Sequence, residues 1–206
     1  MNIHDPGDVD AYPPQDTSPA KILTGSFTNE DNYTHRCHAF FTAIFTCLQE
    51  HLSMGSRKSF IKEWNARMTQ FPEPACDMAR ADFFCAVEKK YNSVSLYPQS
   101  KCLAYYSFQI FAQIVDGTKD GVEAMGKTFY SLHDMLMERE KPHGPFLVIV
   151  IDEAHELTDV GNWKPSVVFC RAIADYSAMC QKCKCWVVFA STTSKVADFA
   201  SPQAKC

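Results

Sequence analysis

The chain has 206 residues, 46% apolar and 13% aromatic, and its 20 basic and 24 acidic residues leave a formal net charge of -4. That supplies apolar material for one sizeable core, while the mild acidity and the lack of any lysine or arginine block exclude a global basic field for nucleic acid or an anionic membrane. No run reaches the roughly 18 to 20 apolar residues of a membrane span, and the acidic, proline-rich opening is unlike a signal peptide, so an intracellular chain, cytoplasmic or nuclear, is expected.

In chain order, residues 1–30 read as a loop-like segment, with Pro6, Pro13, Pro14 and Pro19 and two glycines, Gly7 and Gly25. Residues 31–142 read as largely helical. Over residues 31–52, Cys37, Phe40, Phe41, Ile44, Phe45, Leu48 and Leu52 recur at three-and-four spacing, the pattern of an amphipathic helix. "SRKSFIKEWNARMTQF" repeats it until Pro72 and Pro74 interrupt. "DMARADFFCAVEKKY", "CLAYYSFQIFAQIV" and "DGVEAMGKTFYSLHDMLMERE" follow with the same periodicity.

The texture changes over residues 143–206. After the breaker cluster "KPHGP" comes "FLVIVI", a β-branched run without polar alternation, which predicts a strand buried on both faces. "KPSVVFCRAIADYSAMC" has helical spacing, and "CWVVFAS" predicts a second buried strand. Strand, helix, strand is a βαβ unit with a parallel pair. The expected fold class is therefore α/β, a partial parallel sheet preceded by a largely helical segment. Ten cysteines without a secretory leader read as reduced side chains, with Cys37, Cys47, Cys85, Cys102 and Cys170 as small core hydrophobes.

The first strand ends in Asp152 and Glu153, within "FLVIVIDEAHEL". Ligands of open parallel sheets gather at the carboxyl ends of the strands. Two adjacent acids there serve two roles: one holds Mg²⁺, and the other polarises an attacking water against a terminal phosphate. A strand that simply ends in solvent explains an isolated acid pair equally well. Six apolar residues followed by the DEAH tetrad favour the Walker B arrangement. The second strand runs into Ser191, Thr192 and Thr193, where some nucleotide hydrolases carry a polar sensor; capping of a following helix, "SKVADF", explains the same hydroxyls.

With "AYPPQD", "RCHAFFTAIF", "CRAIADYS" and "VVFASTTSKVADFASP", these motifs resemble a group of fungal P-loop ATPases found in basidiomycetes and akin to the Crinkler and retrotransposon-hot-spot NTPases. The likeness spans most of the chain, with its specific motifs from Phe146 onward. It implies ATP and Mg²⁺ as ligands, Asp152 as the metal-binding acid, Glu153 as the catalytic, water-activating acid, and Ser191 and Thr192 as the sensor. In that group the phosphate loop precedes the YPP segment and further sheet follows the sensor strand. The chain is thus expected to be a Walker B half, inactive alone, with nucleotide as its partner if the domain is complete.

Gly121 to Thr128 spell G-x-x-x-x-G-K-T, yet "VEAM" is helix-forming and no buried strand feeds it, so a chance match within a helix is expected. A DEAH helicase fragment is the alternative among NTPases, since "FASTTSKVADF" sits where such enzymes carry Ser-Ala-Thr; the earlier residues lack basic strand-gripping motifs. A non-catalytic interaction or scaffold protein is the other. Zinc is not expected: "CQKCKC" offers Cys180, Cys183 and Cys185 without an evident fourth ligand, and "HRCH" is a helix surface.

Overall fold

The computed structural model describes residues 16–54, 60–69, 74–95, 119–140, 147–152, 154–157, 162–179 and 185–190. The chain divides into two compact units, one of Met1–Cys37 with Leu147–Cys206, the other His38–Phe146.

The first unit opens with a helix, α1 (Thr17–Thr24), where the composition predicts loop. Pro19 lies in the first turn, where its missing N–H would have no intrahelical partner anyway. Pro19, Ala20, Ile22 and Leu23 are buried. Tertiary cover therefore overrides the breaker-rich composition. The second helix, α2 (Glu30–Met54), begins in this unit. Asn29 caps it: its Oδ1 accepts from the Asn32 N–H at 2.8 Å, and the acids Glu30 and Asp31 in the first turn suit the positive helix end.

Arg36 of α2 closes the end of α1. Its Nη1 donates to the carbonyls of Ile22 at 3.0 Å and Gly25 at 2.9 Å, and its Nη2 to that of Ser26 at 2.7 Å. The guanidinium also lies 5.5 Å from the centre of the Phe27 ring. One cation thus satisfies several carbonyls around the helix terminus, where the backbone has no partners of its own.

Strands β1 (Leu147–Ile151) and β2 (Cys185–Phe189) pair in parallel, with Leu147 opposite Cys185 and Ile151 opposite Phe189. The helix between them, here α6 (Pro165–Met179), packs on β2. Pro165 stands at its first position, where proline's fixed φ is pre-organised. Val168, Phe169, Ala172 and Ile173 are among its buried residues, and Phe169 meets Phe189 edge-on at 6.1 Å. Ile149, Ile151 and Cys185 are buried with them, whereas Val148, Val150, Trp186 and Val188 on the opposite face are exposed. The strands were expected to be buried on both faces; among the described residues only one face is covered, and the other is open.

In the second unit, α2 is apolar over most of its circumference, with Ala39, Phe40, Phe41, Ala43, Ile44, Phe45, Cys47, Leu48 and Leu52 all buried. Such a helix lies inside its unit rather than on its rim. Thr42, wholly buried, bonds back to the His38 carbonyl at 2.9 Å. Helices α3 (Phe60–Thr69) and α4 (Pro74–Ser95) pack together. Helix α3 ends before Pro72, as the sequence predicts, and Pro74 opens α4. Trp64 meets Phe83 edge-on at 4.9 Å, and His51 of α2 stands 5.6 Å from both rings. Arg80 donates to the Met68 carbonyl in the last turn of α3 at 3.2 Å.

Helix α5 (Lys119–Glu140) buries Phe129, Leu132 and Leu136, with Phe129 5.1 Å from Phe45. The Gln49 amide donates to the Thr128 carbonyl at 2.8 Å. The letters G-x-x-x-x-G-K-T fall wholly within α5, so their amides serve the helix ladder instead of wrapping a phosphate. The helix expected over "CLAYYSFQIFAQIV" lies outside the described residues.

Candidate functional site

The carboxyl ends of the two strands meet beyond Ile151 and Phe189. The Ile151 carbonyl accepts from the Ala190 N–H at 2.8 Å, and the Ala190 carbonyl accepts from the Ala154 N–H at 2.9 Å. These two bonds flank Asp152, so the parallel ladder holds its backbone beside Ala190, the residue before Ser191. Ile151 and Ala154 on either side of the pair are wholly buried. A short 3-10 turn, Ala154–Leu157, then carries the chain inward, with Leu157 wholly buried and the turn packed against α1 and α6.

Asp152 is half-buried at the strand end and is not part of a helix. Glu153, Ser191 and Thr192 lie outside the described residues, as do Cys180 and Cys183. The placement of Asp152 follows from the pleat and the turn together. Apolar residues at 149 and 151 are drawn toward α6, the turn is drawn into the core, and the polar residue between these anchors is left at the rim.

A concavity of about 380 Å³ lies at the start of α6 between Glu30, Trp163, Lys164, Val167 and Arg171. Trp163 belongs to an aromatic cluster with Phe27 at 5.3 Å and Tyr33 at 5.4 Å. Arg171 is already engaged by Glu30 at 2.8 Å. The N–H groups of Val167 and Val168 both turn to the Lys164 carbonyl, at 3.0 and 3.2 Å. With its guanidinium paired and two of its first-turn amides spent, this helix start is a poor cradle for an anion.

Among the described residues the buried thiols are chemically quiet. Burial pushes Cys37 well above the ordinary thiol range, Cys185 up to about 12 and Cys47 up to about 11. Burial likewise raises the Tyr33 phenol beside Cys37. Protonated, buried thiols are neither nucleophiles nor ready metal ligands. Cys85 and Cys170 are exposed and not in the core, a correction to their reading as core hydrophobes; both occupy solvent-side positions of otherwise amphipathic helices. Burial raises the Asp175 carboxyl, opposed by Arg171 one helical turn away. Among the described residues no three His, Cys, Asp or Glu side chains come together as a ligand group.

Sequence reasoning missed Arg36 and Trp163. Arg36 sits in "THRCH" like any helix-surface cation, and its role depends on where α1 ends. Compared with protein-family models, curated proteins and solved structures, the chain finds no match in any of the three. Among the described residues no helix is long and apolar enough to cross a membrane.

Proposed function

We propose that the chain carries the Walker B half of a P-loop NTPase-like domain, with the carboxyl end of β1 and β2 as its Mg²⁺–ATP edge. The observation supporting this reading is the parallel β1–β2 pair, whose bonds through Ala190 hold Asp152 at the end of β1 beside the residue that precedes Ser191. In this reading Asp152 holds the metal, Glu153 orients the attacking water, and Ser191 and Thr192 contact the terminal phosphate. A half-buried carboxylate with its backbone anchored on both sides fits a hard cation that keeps most of its water. Bound Mg²⁺ would draw charge from the phosphate oxygens and relieve their repulsion with the two acids.

The same reading limits activity. The only phosphate-loop letters lie in α5, so no strand-fed amide nest is present among the described residues to orient the β and γ phosphates. The chain alone is expected to bind Mg–ATP and to hydrolyse it negligibly.

Thermal unfolding with and without Mg–ATP tests this. At a hundredfold excess over the dissociation constant, binding adds about 2.7 kcal/mol, a midpoint rise of roughly 5–10 °C for a chain of this size. Asp152→Asn or removal of Mg²⁺ is expected to cancel the rise, while Lys127→Ala leaves it unchanged. An unmoved midpoint at several millimolar Mg–ATP would sink the proposal, as would a Lys127→Ala variant that abolishes binding.

A further inference from the structure

The concavity beside Trp163 has an apolar floor, an aromatic wall and a polar edge. It forms where the starts of α2 and α6 come together: Glu30 is the first residue of α2, and Val167, Val168 and Arg171 share one side of α6. All its lining residues belong to the first unit. Val168 is buried and Val167 half-buried, which makes the floor apolar. Trp163 is half-buried and packs against Phe27 and the wholly buried Tyr33, while also lining the concavity. An indole braced on one side and accessible on the other is a stacking platform that needs little ordering when a ring arrives.

The polar edge has hydrogen-bonding capacity left over. Arg171 and Glu30 meet through a single contact, Nη1 to Oε1 at 2.8 Å. A bidentate pair would occupy two N–H groups and both oxygens. Here the second carboxylate oxygen and the other guanidinium N–H groups have no hydrogen-bond partner among the described residues, and neither has the Asn162 side chain. The two charged side chains are 59% and 40% exposed, so the pair contributes little stability where it stands. With Arg171 balanced by Glu30, the edge selects neither a free anion nor a free cation. It suits a neutral planar ring that carries both donors and acceptors.

We propose that this concavity binds a guanine-type base, stacked on Trp163 and read along its edge by Glu30, Arg171 and Asn162. Guanine sets its O6 acceptor beside the N1–H and N2–H donors of its pairing edge. Arg171 donates to O6, the unoccupied oxygen of Glu30 accepts from N1–H, and the Asn162 carbonyl accepts from N2–H. Adenine satisfies only two of these three groups, because it has no donor at C2. A single-ring pyrimidine covers less of the indole. The volume of about 380 Å³ lies toward the small end of the roughly 300–1,000 Å³ of small-ligand sites, which suits a base with its sugar rather than a dinucleotide. This site goes beyond the Mg–ATP reading and does not rest on it.

Titration of the full chain with guanosine, followed by calorimetry and by tryptophan fluorescence, tests the proposal without phosphate or metal. Half-saturation below about 0.5 mM is expected, with quenching of the indole emission. Trp163→Leu should weaken binding by roughly fivefold to a hundredfold, the loss of one base–aromatic stack, and Trp163→Phe should recover part of it. Arg171→Ala, at an exposed position outside the α6 core, should weaken it at least about fivefold with an unchanged circular dichroism spectrum. Adenosine should bind at least about fivefold more weakly than guanosine. No saturation by about 2 mM guanosine overturns the proposal, as does binding that survives both Trp163→Leu and Arg171→Ala. Adenosine that binds as tightly as guanosine overturns it too, as does ribose 5-phosphate that competes equally well, in favour of an anion site. Should Trp163→Leu unfold the chain, the unaltered protein, the adenosine comparison and Arg171→Ala still decide. Guanosine brings no phosphate or metal, so its failure to bind leaves the Asp152 edge standing, and an unmoved midpoint with Mg–ATP leaves this site standing.

Discussion

Replacing Arg36 by alanine removes three bonds from a charged donor, to the carbonyls of Ile22, Gly25 and Ser26, and the guanidinium from the Phe27 ring. A bond to a charged group contributes about 1.5–3 kcal/mol in favourable settings. Arg36 and Gly25 are only half-buried and Ser26 is exposed, so water replaces part of what is lost. The net cost is therefore about 2–3 kcal/mol rather than the full sum, with the Ile22 carbonyl contributing most because its residue is 4% exposed. Ring contact at an exposed site adds about 0.5 kcal/mol. Urea unfolding followed by circular dichroism measures the loss, and amide exchange localises it: α1 should lose protection before α5 or α6. Arg36→Lys should recover less than half, because a single ammonium cannot span three carbonyls. A loss below about 0.5 kcal/mol, or full recovery by lysine, would refute the clamp as the element that holds α1.

Two further outcomes follow from local geometry and burial. At Gly25 an added Cβ would meet the Lys21 carbonyl oxygen at 2.5 Å, so Gly25→Ala should destabilise by about 1–3 kcal/mol, read as a lower urea midpoint with unchanged slope; an unchanged midpoint would show that α1's end gives way freely. Cys37 and Cys185 keep their protons in the folded chain beyond the ordinary thiol value of 9.0, whereas the unfolded chain releases them there. The stabilisation is thus full below pH 9 and lost as pH rises toward the folded values, at about 1 kcal/mol per thiol between pH 9 and 10. Urea midpoints that stay level over that interval, or rapid alkylation of either thiol in the folded chain, would contradict it.

Legibility in the sequence tracks how local the cause is. Helices α2, α3, α4, α5 and α6 were readable because each carries its own periodicity. The strands were readable from their β-branched runs, as was their parallel pairing from the intervening helix. By contrast α1 was invisible. Its sequence is short and broken by Pro19 and Gly25, and it is held by Arg36 and by packing against the 3-10 turn, partners far along the chain. The site divides the same way. Asp152 was singled out from "VIVIDE" alone, but the two bonds to Ala190 that fix it against β2 join residues nearly forty positions apart.

The sequence by itself therefore determined which segments become helix or strand and which acid stands at a strand's end, since hydrophobic period and caps operate over a few residues. Only the tertiary structure decided that α1 exists and that the β1–β2 pair is covered on one face. Those outcomes depend on what each surface meets, and burial is a property of pairs of segments that no single segment encodes.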